Sequence, residues 1–205
     1  PGTAAQGGPR RDHIYTHYFV GANMAIPGSR DDAVREEMAV ERLKHAAELS
    51  IDDAKIKEGK ISVTVKNTGA GHNLPTGLTD VRQMWLEVVV RDSAGRTIFT
   101  TGVADANGYL PKGSIVYNTV FGDGKGNAVE NIAKARQVLR DRRVPPLGSL
   151  EEVIALPATG TKTLEVSARL RYMGAPQELI DKLAGKGKIS IPAVTMAEAK
   201  KTITL

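Results

Sequence analysis

The sequence predicts a mainly β protein: an antiparallel, immunoglobulin-like β-sandwich with an N-terminal helix and two short helical insertions. Three observations predict it. About seven or eight segments alternate apolar and polar residues with a period of two, the pattern of strands that bury one face. Turn-forming residues separate them, as at Asp92-Ser93-Ala94-Gly95. The chain of 205 residues is 41% hydrophobic and 25% charged, enough for one core between two sheets. It has no apolar run long enough to cross a bilayer as a helix.

Residues 1–10, PGTAAQGGPR, offer little to bury and read as a lead-in; residues 1–28 together form an extended N-terminal segment carrying His13 and His17. A helix is predicted over 29–50. Ser29 with Asp32 is similar to a capping box, and Val34, Met38, Leu43, Ala46 and Ala47 form an apolar stripe near helical period. Residues 51–205 are assigned to the sandwich.

There the period changes to two. Ile61, Val63 and Val65 alternate with Ser62, Thr64 and Lys66. Gln83 to Val90 and Arg96 to Thr101 form a hairpin, and Ile115 to Phe121 makes a fourth strand. The clearest alternation runs from Thr163 to Tyr172, with Leu164, Val166, Ala168, Leu170 and Tyr172 on the core side. Glu152 to Leu156, Ile189 to Ile191 and Lys201 to Leu205 complete the set. The two helical insertions are Ala128 to Arg140, with Val129, Ile132, Ala135 and Leu139 on one face, and Pro176 to Ala184, with Pro at its start and Gly185 after its end.

Composition excludes several chemistries. With no cysteine, the chain has no disulfide, no thiolate metal site, no cysteine nucleophile and no C-x-x-C-H motif for covalent haem attachment. The net charge of +5 is spread over short groups such as Arg140, Arg142 and Arg143, and aromatic residues are only 4%, too few for a stacking surface, so nucleic acid is not an expected partner. GDGKGNA at 122–128 lacks phosphate-loop spacing and reads as a turn. Asp105 and Asp123 do not fit a calcium-loop pattern. No G-x-S-x-G elbow is present, so the sequence points away from an enzyme. Trp85, between Met84 and Leu86, is expected in the core.

Histidine is therefore the main source of ligating chemistry. His13 and His17 are four apart in RDHIYTHYFVGAN, a spacing that puts both imidazoles on one face of a helix. His72 follows a strand in NTGAGHNLPTG, where glycines and Pro75 bend the chain, so its imidazole is either presented at a sheet end or bonded to a neighbouring carbonyl. His45, in the predicted helix, reads as structural or surface.

THYFVGAN resembles the H-x-F-x-G-x-N/H stretch that follows the last haem motifs of many multihaem c-type cytochromes, and NTGAGHNLPTG resembles their N-x-x-x-G-H-x-x-P-T-G loop. An arginine and the strand MWLEVVVRDSAGR come next, then RRVPP, LEVSARLRY and IPAVTMAEA in the order of that family's haem-free C-terminal β domain. The resemblance covers the chain from about Asp12 to Leu205.

It implies an accessory or docking domain of a periplasmic or extracellular multihaem cytochrome that supports electron transfer. His17, then His72, then His13 are the implied candidates for distal axial ligands of haem iron. The haem c itself would be attached outside this chain, on another segment of the same polypeptide or on a partner cytochrome. Two alternatives stand beside it: a copper or zinc module built on His13, His17 and His72, and a non-catalytic adhesion or sugar-binding sandwich.

Overall fold

The computed structural model describes residues 1–14 and 20–205. It is mainly β, 38% strand and 15% helix, and two antiparallel sheets enclose the core. The elements in chain order are β1 (Gly2–Thr3), β2 (Arg10–Arg11), α1 (Ala25–Gly28), α2 (Ala33–Lys44), β3 (Ala47–Asp52), β4 (Lys60–Asn67), β5 (Gln83–Asp92), β6 (Thr97–Thr101), β7 (Ile115–Tyr117), β8 (Thr119–Gly122), β9 (Gln137–Asp141), β10 (Ser149–Ala155), β11 (Thr163–Met173), α3 (Gln177–Ala184) and β12 (Val194–Thr204).

One sheet has three strands in the order β10-β4-β3. The other has five, in the order β12-β11-β5-β6 with β7 also on β5. Ile61, Val63 and Val65 of β4 face Met84, Leu86, Val88 and Val90 of β5 and Leu164, Val166, Ala168 and Leu170 of β11 across the core. All are buried, and this burial is the main favourable term for folding. β1 pairs with β2 and β8 with β9 as separate two-stranded sheets.

Trp85 points to the opposite face of β5 from Met84 and Leu86. It is nevertheless buried, and its indole N–H donates to the Gly102 carbonyl at 2.9 Å. Arg142 pairs with the buried Glu152 and lies over the Tyr117 ring, 6.0 Å from its centroid, tying the β9–β10 connection to the core.

Three expected elements are corrected. The helix expected over 29–50 spans only Ala33–Lys44, capped by the Asp32 carboxylate accepting from Arg35 N at 3.1 Å, while the Ser29 hydroxyl donates back to Ile26 O. Val34, expected in its buried stripe, is exposed; only Ala39 and Leu43 of α2 are buried. From Ala47 the chain is strand, because Leu49 and Ile51 pair in register with Val65 and Val63 of β4 and the ladder takes up backbone groups that a longer helix would have used.

The insertion expected as a helix over Ala128–Arg140 is a single 3-10 turn at Ile132–Lys134, capped by Asn131, followed by β9. Pairing with β8 overrides its helical spacing. Ile189–Ile191 is not a strand. Gln177 takes the place of a strand partner: its side chain donates to Ile189 O at 2.7 Å and accepts from Ile191 N at 2.9 Å. The helix expected over Pro176–Ala184 is observed, with Pro176 as N-cap and Gly185 as C-cap.

Candidate functional site

The loop joining β4 to β5 is fixed by its first residue. Buried Asn67 donates from its side-chain amide to His72 O at 2.8 Å and accepts from Ala70 N at 3.0 Å, folding residues 67–72 into a closed turn. Leu74 and Val144 exchange backbone hydrogen bonds at 2.8 Å in both directions, anchoring the far side. Gly69 N donates to Ala46 O at 3.2 Å, and a Cβ on Gly69 would lie 1.9 Å from His45 O, so only glycine allows the loop to meet the end of α2 this closely.

That contact brings His72 and His45 to one cleft of about 540 Å³. Its floor is apolar, from Leu43, Leu74, Met84, Tyr172 and Met196, all buried. Gly21 and Ala22 form one wall, directly after the buried Val20. Arg42 and Arg82 also line it, and Arg82 donates to Gly174 O at 2.8 Å. Burial of Tyr172 raises its phenol pKa, and the Arg82 charge opposes that shift.

Both imidazoles are held in the same way. His45 Nδ1 lies 2.8 Å from Glu41 O, one turn back in α2, and His72 Nδ1 lies 3.0 Å from Asn73 O. A carbonyl oxygen only accepts, so Nδ1 carries a hydrogen in each ring, and in the neutral form of such a ring the Nε2 lone pair is the one left to act as a ligand. A backbone bond of this kind fixes the tautomer and orientation of a metal-binding histidine.

His72, expected at a sheet end, is exposed at the cleft and also bonds a neighbouring carbonyl, so its two readings hold together. His45, read as structural or surface, joins it. The alternation of Leu49 and Ile51 with Ser50 and Asp52 was the signal that ends the helix before 47 and puts His45 at its C-cap. His13 is exposed and does not line the cleft. His17 lies outside the described residues.

The remaining candidates resolve into local structure. Asp105 accepts from Asn107 N and Tyr109 N, and Asp123 from Lys125 N and Asn127 N, so both carboxylates close turns. Among the described residues no three His, Asp or Glu side chains come together as a metal site, and no helix is long and apolar enough to cross a membrane. A second hollow, about 660 Å³ beside Asp92, Arg96 and Thr161, holds no histidine.

The fold and cleft define a β-sandwich that presents two ligand-competent imidazoles above an apolar floor. No protein-family model and no curated protein matches the chain. Among solved structures, its fold is similar to a penta-heme cytochrome c552 from Thermochromatium tepidum, with a TM-score of 0.59 and 22% sequence identity, covering 80% of this chain and 41% of that one. The chain thus spans about two fifths of that structure's length. At this identity the likeness is one of fold. Having no cysteine, the chain does not attach haem covalently.

Proposed function

We propose that the chain is an accessory or docking domain of a periplasmic or exported multihaem cytochrome, associated with electron transfer and not itself an enzyme. The observation that carries the reading is the His45–His72 cleft: two imidazoles with Nδ1 tied to the backbone, over a floor of Leu, Met and Tyr side chains. These residues fit a haem edge, because a macrocycle face needs apolar cover and its iron takes a neutral imidazole nitrogen. The fold shared with a penta-heme cytochrome supports the same reading.

His72 is the distal-ligand candidate in the cleft, with His45 beside it; His17 and His13 remain candidates from the sequence resemblance. Haem held elsewhere, in the same polypeptide or in a partner cytochrome, would supply the one-electron chemistry. The chain's own part is to shield the haem edge from water, to orient the imidazole and, through both, to set the potential.

Assembly with the haem-bearing polypeptide tests this. Variants His72→Ala and His17→Ala, compared with wild type by absorption spectroscopy and redox titration, are expected to convert at least one haem from low-spin to high-spin and to change its potential. Unchanged spectra and potentials in both variants would rule out ligand donation by either residue.

A further inference from the structure

Two cations line the cleft with no carboxylate beside them in its lining, among the described residues. Arg42 and Arg82 line it, and no Asp or Glu does. Arg42 makes no hydrogen bond or ion pair with the described residues. Arg82 is half-buried, and its only hydrogen bond among the described residues runs to Gly174 O, which leaves the rest of its donor fork open. Arg82 also shares the cleft lining with the buried Met84, Tyr172 and Met196, a partly apolar setting in which an anionic partner would bind it more strongly than in open water.

Arg42 is exposed at the cleft rim, and the half-buried arginines other than Arg82 are treated differently. Arg142 pairs with Glu152, Arg143 with Asp141, and Arg169 and Arg171 with Glu87. Each of these four half-buried arginines therefore has a carboxylate partner. Arg82 has no such carboxylate among the described residues, and an apolar floor and two imidazoles share the cleft with both guanidinium groups.

We infer that Arg42 and Arg82 are carboxylate anchors, and that the cleft takes a flat apolar ligand bearing carboxylates at its edge, namely the propionate side of haem. The inference rests on the haem reading above and adds to it the recognition of the propionates. Arginine suits the task, because its planar fork meets a carboxylate with two parallel hydrogen bonds. The imidazoles would then address the iron while the guanidinium groups set which edge of the macrocycle enters.

Spectrophotometric titration of the intact chain with hemin and with hemin dimethyl ester, whose carboxylates are blocked, tests the assignment. Hemin is expected to bind at least about tenfold more tightly than the diester, the scale of one charge-assisted hydrogen bond. Arg82→Gln and Arg42→Gln are each expected to shrink that preference without moving the Soret maximum of the bound state, which reports the imidazole. Far-UV circular dichroism establishes that the variants fold, and the comparison of the two ligands on the wild-type chain needs no variant.

Equal affinity for hemin and its diester, or a preference that survives in the Arg42→Gln, Arg82→Gln double variant, would overturn the anchors and leave the haem reading standing. Absence of saturable hemin binding would also overturn the anchors, while the haem reading itself stands or falls on the spectra and potentials of the assembly.

Discussion

At the scale of single residues, the cleft depends on Gly69. A methyl group there would meet the His45 carbonyl at 1.9 Å, so either the loop or the end of α2 must move. Forcing atoms into a filled space costs about 1–3 kcal/mol. Gly69→Ala is therefore expected to lower the thermal midpoint and, because the same movement separates His45 from His72, to weaken hemin binding as well. Gly102→Ala is the control. Its Cβ would meet Leu86 O at 2.1 Å at a residue with φ of 69°, which is destabilising, and Gly102 is not among the residues that line the cleft. Melting and titration of the two variants together check this: equal loss of hemin affinity in both would mean that Gly69 acts through stability alone.

At the scale of elements, α3 is latched to the loop between β6 and β7 by Tyr109, whose hydroxyl donates to Asp181 at 2.6 Å, while Gln177 donates to the other carboxylate oxygen at 2.9 Å. These donors hold the Asp181 carboxyl below the usual carboxylate pKa of 3.8, and the Asp181 carboxylate pushes the Tyr109 phenol from 10.0 up to about 12. The lowered acid contributes stability above its ordinary pKa and loses it as pH falls through its folded value. The raised phenol contributes below pH 10 and loses it as pH rises toward about 12. The latch is thus complete between about pH 4 and about pH 10. Tyr109→Phe is expected to lower the thermal midpoint throughout that window, with the difference from wild type closing at both ends. A difference that stays constant from pH 3 to pH 11 would show that the latch is not electrostatic.

Elements were legible where the side-chain period and the tertiary pairing agree. β4, β5 and β11 alternate over eight or more residues and fill the core, and α3 carries Pro at its N-cap and Gly at its C-cap. The failures all come from short segments whose apolar residues fit two periods at once. Ala46 and Ala47 extend a helical stripe as readily as they begin a strand, and Val138 and Leu139 fit a helix face until β8 offers them a ladder. Ile189 and Ile191 look like a strand, but a single glutamine satisfies their backbone. In each case a partner distant in sequence decides the outcome, and local pattern cannot contain it.

At the scale of the whole molecule, one of the two histidines that line the cleft was singled out in advance. His72 stood out because glycines and a proline surround it. His45 and the two arginines did not, since they come to the cleft only when Gly69 docks on α2 and when β5, β11 and β12 contribute Met84, Tyr172 and Met196 to its floor. The sandwich supports the cleft at its edge, and on the proposed reading an external haem would dock there.

Hydrogen–deuterium exchange on the assembly with the haem-bearing polypeptide tests that claim most directly. The account predicts that, relative to the chain alone, amides in segments 42–46 and 69–77 gain protection, while those of β9 and of the Asp92–Arg96 turn do not. Protection confined to β9 or to that turn, with the cleft segments unchanged, would contradict it.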